Sequence, residues 1–121
     1  MSKTVLTVDD SDSILKSIAF TLEPEGYTVV TAENGQVGHQ KVQGQRFDLI
    51  ITDLNMPVMN GFEFIRATRG EANGQGVPIV MLTTESKPEA KAEGKAAGAT
   101  GWLNKPFDPA KLIGVVQKLI R

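Results

Sequence analysis

The sequence contains no cysteine among its 121 residues. This absence excludes disulfide bonds and thiolate metal sites, and it weakly favours a reducing compartment. Long apolar segments are missing as well. The first residues, "MSKTVLTV", lack the apolar core of a signal peptide, and no later run approaches the length that spans a bilayer. We therefore expect a cytoplasmic protein with no membrane contact.

An excess of one charge is also missing, because 13 Lys and Arg residues balance 14 Asp and Glu residues. A formal net charge of -1 provides no general attraction to nucleic acid, so a nucleic-acid partner is not expected and any charged partner must be met by a local patch. A hydrophobic content of 40% and a charged content of 22% are typical of a globular protein. The length suits one domain, and we expect residues 1–121 to form it and to act as a monomer.

Short apolar runs alternate with amphipathic stretches along the chain. The runs predict five β-strands, at residues 4–8, 27–32, 47–52, 77–83 and 101–104. The stretches between and after them predict five helices, at residues 12–23, 35–43, 61–69, 87–98 and 109–120. Asp108 and Pro109 predict the N-cap and first turn of the last helix, and Ser86 with Glu89 predicts a capping box at the fourth.

This alternation predicts a doubly wound α/β fold in which helices cover both faces of a parallel sheet. The runs "LII" and "IVML" are continuously apolar, as expected for strands that are buried on both faces. In such sheets, ligands bind at the carboxyl ends of the strands, near the point where the strand order reverses. The residues that follow each strand are therefore the candidates for a functional site.

Acidic, hydroxyl and basic residues stand at these strand ends: Asp9, Asp10, Asp53, Thr83 and Lys105. If the first and third strands are neighbours, the three carboxylates would repel one another unless a cation is shared. Oxygen ligands of this kind are those that Mg²⁺ prefers, and the Lys105 ammonium could neutralise part of the remaining charge. Each residue alone is equally well explained as a turn, capping or surface residue. Their coincidence at one sheet edge favours a functional site.

Four motifs in this order, "VDDS", "DLNMPVMNG", "LTTES" and "NKPF", resemble those of the receiver domain of bacterial two-component response regulators. The resemblance covers nearly the whole chain and is greatest to single-domain, CheY-like chemotaxis regulators. It implies a flavodoxin-like three-layer sandwich with five helices around a five-stranded parallel sheet of order 2-1-3-4-5. It also implies a phosphorylation-activated signalling switch that is not an enzyme, since it catalyses only its own phosphorylation and dephosphorylation.

The resemblance assigns the metal and phosphoryl-acceptor roles to individual residues. Asp53 matches the aspartate that receives the phosphoryl group. Asp9 and Asp10 match the acidic pair that holds Mg²⁺, together with Asp53 and the backbone carbonyl of Asn55. Mn²⁺ is expected to substitute for Mg²⁺ at this site.

Further residues match the parts of the family that respond to phosphorylation. Thr83 matches the hydroxyl that bonds the phosphoryl group, and Lys105 matches the lysine that pairs with the acceptor and then with a phosphoryl oxygen. The peptide bond after Lys105 is expected to be cis. Trp102 stands where the family usually has the Tyr or Phe of its aromatic switch. Asn55 and Glu85 match positions that tune dephosphorylation.

The predicted fourth helix carries three lysines on one stripe, Lys87, Lys91 and Lys95. Because the residues at this spacing carry like charges, they cannot form the glutamate–lysine pairs that would stabilise an isolated helix. Together with Trp102, the stripe would suit an acidic partner helix. A solvated helix face without a partner is the alternative.

The resemblance implies a histidine kinase as phosphodonor. With no output domain in the sequence, we expect the protein to act by binding, with the flagellar motor switch or another effector as its partner. A phosphorelay shuttle and a non-chemotactic regulator are alternatives, and a pseudo-receiver that binds without phosphorylation is another.

Two other protein classes are disfavoured by the motifs themselves. A flavodoxin would need a hydroxyl- and glycine-rich phosphate cradle where this chain has "DDSDS". A haloacid-dehalogenase-type phosphatase would need a second acid two residues beyond its nucleophile, where this chain has Asn55.

Overall fold

The computed structural model of the protein describes residues 3–120, in which strands and helices alternate as predicted. The strands are β1 (Thr4–Val8), β2 (Thr28–Ala32), β3 (Leu49–Thr52), β4 (Ile79–Thr83) and β5 (Gly101–Asn104). The helices are α1 (Asp12–Leu22), α2 (Gly35–Gly44), α3 (Gly61–Arg69), α4 (Pro88–Ala97) and α5 (Pro109–Leu119). Two short 3-10 turns lie at Glu23–Glu25 and Ala72–Gly74.

The strands form one parallel sheet with the order β2-β1-β3-β4-β5, which confirms the order that the resemblance implied. β1 and β3 are neighbours at the point where the strand order reverses. Their register pairs Val8 with Thr52, and the Asp53 amide donates a hydrogen bond to the Val8 carbonyl at 2.9 Å. Asp9 and Asp53 therefore leave the sheet side by side.

Two hydrophobic cores fill the space between the sheet and its helices, one on each face. Alternate residues of the central strands point to opposite faces: Leu6 and Ile50 pack with α2, α3 and α4, whereas Val5 and Ile51 pack with α1 and α5. β3 and β4 are buried along their whole length, which explains their uninterrupted apolar sequences. Among residues 3–120, no helix combines the length and apolarity required to cross a bilayer.

The predicted N-cap of the last helix is confirmed, but the predicted capping box at the fourth helix is wrong. The Asp108 side chain accepts a hydrogen bond from the amide two residues later at the start of α5. At α4, the N-cap is Lys87, and its side chain makes no capping hydrogen bond. Pro88 occupies the first turn because its fixed φ suits that position, so Ser86 lies one residue too early to cap the helix.

A capping box that the sequence analysis did not identify begins α3. The Asn60 side chain accepts a hydrogen bond from the Glu63 amide at 2.9 Å. The Glu63 carboxylate in turn accepts one from the Asn60 amide at 2.9 Å. This reciprocal pair fixes the start of the helix that follows the Asp53 loop.

We expect Asn60→Ala to lower the free energy of unfolding by about 1 kcal/mol, because the Glu63 amide at the start of α3 would lose its side-chain acceptor. Urea denaturation measures this change. Ser86→Ala is the matched control at the position where the cap was wrongly predicted, and it should change stability by less than about 0.5 kcal/mol. Equal losses in the two variants would contradict the assignment of the caps.

Candidate functional site

The carboxylates of Asp9, Asp10 and Asp53 converge at the carboxyl edge of the sheet. One oxygen from each of these side chains lies within 4.8 Å of the others. Asp9 and Asp53 are only 2% and 7% exposed, whereas Asp10 is exposed. The acidic cluster is therefore buried on one side and open to solvent on the side of Asp10.

Lys105 reaches into this cluster from the end of β5. Its Nζ donates a hydrogen bond to Asp9 Oδ2 at 2.7 Å and lies 3.3 Å from Asp53 Oδ2. The backbone amide of Lys105 donates to the Thr83 carbonyl at 2.9 Å, which fixes the lysine beside the end of β4. The bond from Lys105 to Pro106 is cis, as predicted. One ammonium among three carboxylates leaves the cluster with an excess of negative charge.

Burial and neighbouring charges shift the pKa values of two groups in the cluster. Burial raises the pKa of Asp9, and the charge of Asp53 raises it further, against the opposing effect of hydrogen bonds from Lys105 and the Ser11 amide. Burial alone would lower the pKa of Lys105, but its hydrogen bond to Asp9 and the charges of Asp53 and Asp9 outweigh that effect and raise it. Lys105 is therefore charged at neutral pH, and Asp9 holds a proton more firmly than a solvated aspartate does.

The orientation of Asp53 is fixed by the loop that follows it. Asp53 Oδ1 accepts a hydrogen bond from the Leu54 amide at 2.8 Å, while Oδ2 faces Lys105. Gly61 brings the start of α3 against this loop, since a side-chain carbon at Gly61 would collide with the Asp53 carbonyl. The Gly61 amide also donates to the Leu54 carbonyl at 2.8 Å. Gly61 was not predicted as a site residue, although the sequence Asn60-Gly61 before an amphipathic stretch is a signal that could have pointed to it.

Thr83, Glu85 and Trp102 are connected by hydrogen bonds at the neighbouring strand end. The hydroxyl of the fully buried Thr83 accepts a hydrogen bond from the Glu85 amide at 3.2 Å. The Glu85 carbonyl accepts one from Trp102 Nε1 at 3.0 Å. Trp102 is half-buried and packs against the core beneath α4. Asn55 is exposed two residues after Asp53.

The three lysines of the predicted stripe are all exposed. Lys87 is the N-cap of α4, and Lys91 and Lys95 line a hollow of about 280 Å³ together with Trp102. Glu93 lies on another side of the helix, where its carboxylate is 3.4 Å from the Arg66 guanidinium of α3. The structure therefore brings Lys91, Lys95 and the indole to one surface.

The acidic cluster fits a divalent metal ion. Its donors are carboxylate oxygens within 4.8 Å of one another, and hard oxygen ligands are those that Mg²⁺ prefers. The negative charge that Lys105 leaves uncompensated favours a cation at the same place. Asp9, Asp10 and Asp53 would hold the ion, and the contribution of the Asn55 carbonyl stays a prediction.

Comparison with known proteins agrees with this geometry. The sequence model of the response regulator receiver domain matches residues 5–117. The chain belongs to this family. The receiver domain is also similar in structure to the chemotaxis protein CheY4 of Vibrio cholerae, with a TM-score of 0.94 and 51% identity over 98% of this chain and 99% of that chain.

Two further relatives bear on the metal and on the length of the protein. The receiver domain of the sensor histidine kinase PA1611 from Pseudomonas aeruginosa, whose structure has a magnesium ion coordinated in the active site cleft, is 30% identical, with a TM-score of 0.91 over 99% of this chain and 98% of that chain. The phosphate regulon transcriptional regulatory protein PhoB of Pseudomonas aeruginosa is 34% identical over 100% of this chain but only 53% of its own length. The chain thus spans about half the length of that relative.

We expect Mg²⁺ to raise the midpoint of thermal unfolding at neutral pH, because the carboxylates converge only in the folded protein. At a Mg²⁺ concentration of about 100 times the dissociation constant, the free energy of unfolding should rise by about 2.7 kcal/mol. Asp10→Asn, which leaves the Lys105 salt bridges intact, should reduce this gain. An equal gain from NaCl at matched ionic strength would contradict a specific site.

The gain from Mg²⁺ should also decline as the pH falls toward the raised pKa of Asp9, because a proton then occupies a ligand oxygen. The stability of the metal-free protein should instead increase as the pH falls. Between the ordinary pKa of 3.8 and the raised value, the folded state binds more protons at Asp9 than the unfolded state, so this group adds stability as the pH falls. Thermal unfolding across this pH range, with Mg²⁺ or with EDTA, separates the two trends.

Proposed function

We propose that Asp53 accepts a phosphoryl group from the phosphohistidine of a histidine kinase, in a Mg²⁺-dependent reaction that changes a partner-binding face. The observation that carries this proposal is the convergence of Asp9, Asp10 and Asp53, with the Lys105 ammonium in contact with Asp9 and Asp53. Without an ammonium or a metal, repulsion between the acids would favour their protonated forms, whereas the reaction needs an ionised carboxylate.

The reaction is an in-line displacement at phosphorus. An Asp53 carboxylate oxygen attacks, a P–O bond forms as the P–N bond to the donor imidazole breaks, and the imidazole leaves with the bonding electron pair. The Lys105 ammonium, 3.3 Å from Asp53 Oδ2, lies where it can stabilise negative charge on the transferred oxygens. When bound, Mg²⁺ supplies further positive charge to the same oxygens. The Thr83 hydroxyl would donate to the phosphoryl group once it has arrived.

The product is an acyl phosphate, and water attack at phosphorus on the side opposite Asp53 returns the protein to its starting state. Asn55 and Glu85 stand on the two loops that leave this edge of the sheet, after β3 and β4. Their side chains would border the approach of water and so set the lifetime of the signal.

The proposed output face consists of β5, which is the edge strand of the sheet, and of α4 and α5, which pack on the two faces of the sheet. Lys91 and Lys95 supply positive charge from α4, with Trp102 beside them. Lys87 adds charge at the N-cap of the same helix. On the opposite side, Lys111 and Lys118 line further hollows of about 390 and 220 Å³ that also include Trp102. Basic side chains on both sides of an apolar strip suit an acidic amphipathic helix.

A chemotaxis role is supported by the similarity to CheY4, so the flagellar motor switch is the proposed partner. The similarity to PhoB, a transcriptional regulatory protein, favours a non-chemotactic regulator as the second candidate. A phosphorelay shuttle would use the same Asp53 chemistry. In each case the proposal is a cytoplasmic monomer in which residues 1–121 form one receiver unit.

We expect Asp53→Asn to abolish labelling by acetyl phosphate in the presence of Mg²⁺, because the amide is too weak a nucleophile to replace the carboxylate. Intact-protein mass spectrometry detects the gain of one phosphoryl group. Asp12→Asn, which removes an exposed acid outside the cluster, is the control and should label as the parent protein does. Persistent labelling of Asp53→Asn would refute the acceptor assignment.

We expect Lys91→Glu to weaken binding of the phosphorylated protein to the flagellar motor switch protein by about 1 kcal/mol at low salt, and to reduce the dependence of the affinity on salt. Titration calorimetry over a range of ionic strength measures both effects. Lys16→Glu, on the exposed side of α1, is the control and should leave binding unchanged. If Lys91→Glu has no effect at any ionic strength, the lysine stripe is only a solvated surface.

A further inference from the structure

Gly94 lies on the buried side of α4 and faces the indole of Trp102. A side-chain carbon at Gly94 would lie 2.9 Å from Trp102 Cζ3 and 3.4 Å from Cε3. It would also be 3.6 Å from Phe62 Cε1. A glycine inside a helix is less favourable than an alanine. The indole supplies a physical reason for this glycine, because any larger residue would displace the ring.

The other end of the indole is held by a hydrogen bond. Trp102 Nε1, on the five-membered ring, donates to the Glu85 carbonyl at 3.0 Å, whereas the six-membered ring packs on Gly94. The rigid ring system is therefore fixed at two opposite edges. A methyl group at Gly94 would push the ring away from α4 and strain or break the hydrogen bond to Glu85.

Glu85 connects this arrangement to the phosphoacceptor site. Its amide donates to the Thr83 hydroxyl at 3.2 Å, and its carbonyl accepts from Trp102. If the Thr83 hydroxyl turns to a phosphoryl oxygen, the Glu85 amide loses its partner. The peptide units on both sides of Glu85 then become free to move, and the hydrogen bond to the indole is affected directly.

The indole also contacts the helix that carries the proposed binding charges. Lys91 and Lys95 flank Gly94 in sequence, and both line the hollow that includes Trp102. The seating of the indole on Gly94 therefore sets the distance between these lysines and β5.

We propose that Gly94 is a positioning residue that seats the Trp102 indole against α4, and that this seating is required for the transmission from Thr83 to the aromatic switch at Trp102 that the resemblance implies. The transmission rests on the proposed function, whereas the seating does not. If Gly94 only completed the core, the effect of Gly94→Ala on stability would be the same with any aromatic residue at position 102. Seating requires instead that the effect of alanine depends on the indole.

A double-mutant cycle tests the seating, with Gly94→Ala, Trp102→Phe and the combined variant compared by thermal unfolding. Gly114→Ala is the matched control, because Gly114 lies in α5 with open space around it. It should raise the unfolding midpoint by a few degrees with either residue at position 102. Gly94→Ala should gain less than this control when Trp102 is present and as much as it when Phe replaces the indole. The same gain in both backgrounds would overturn the seating.

Fluorescence tests the transmission, because Trp102 is the single tryptophan of the sequence. Binding of beryllofluoride with Mg²⁺, a phosphoryl mimic, is followed independently by fluorine NMR. We expect the parent protein and Gly114→Ala to change their emission on binding. Gly94→Ala should bind the mimic but lose at least half of the emission change, or should bind it more weakly. A Gly94→Ala variant with unchanged affinity and the full emission change would overturn the transmission.

The two experiments also separate the inference from the proposed function. If the parent protein does not bind beryllofluoride at all, the proposed phosphoryl chemistry fails, and the transmission fails with it. The double-mutant cycle still decides the role of Gly94 in that case, because it requires no ligand.

Discussion

The salt bridges from Lys105 to Asp9 and Asp53 are the interaction on which the rest of the site depends. Two nearly buried carboxylates on adjacent strands would otherwise repel each other, and at least one would be protonated. The Lys105 side chain is only 14% exposed, and this low solvent access strengthens the attraction between its ammonium and the carboxylates. It does not neutralise the whole cluster, so the same geometry that tolerates the acids also favours a divalent cation beside them.

The fold explains why Asp9, Asp10, Asp53 and Lys105 meet at one place, although they come from three distant parts of the sequence. Parallel strands present all their carboxyl ends at the same edge, and the reversal of strand order makes β1 and β3 neighbours. β3 and β4 are buried along their whole length, so Asp53 and Thr83 stand at the ends of strands that are packed on both faces. The loops beyond this edge are fixed by close backbone contacts, such as that of Gly61 with Asp53. The loops that follow β3 and β4, which carry the proposed acceptor site and the proposed response, therefore begin side by side.

Much of this arrangement could be predicted from the sequence because it depends on local patterns. Short apolar runs predicted the strands. Asp9, Asp53 and Lys105 could then be predicted as site residues because they directly follow these strands. The strand order came only from the resemblance, since periodicity carries no information about which strands are adjacent. The capping box at Ser86 was wrong because Pro88 moved the helix start past it. The close approach of Gly94 to Trp102 could not be predicted, because no local sequence pattern encodes it.

The most direct measurement of the central claim is a crystal structure of the protein grown with Mg²⁺ and beryllofluoride. The proposed acceptor role of Asp53 predicts beryllium bonded to a carboxylate oxygen of this residue, with a fluorine in contact with Lys105 Nζ. It also predicts Mg²⁺ ligated by carboxylates of the acidic cluster. A beryllofluoride group bound elsewhere, or an Asp53 carboxylate that stays unmodified while Mg²⁺ occupies a different part of the surface, would contradict it.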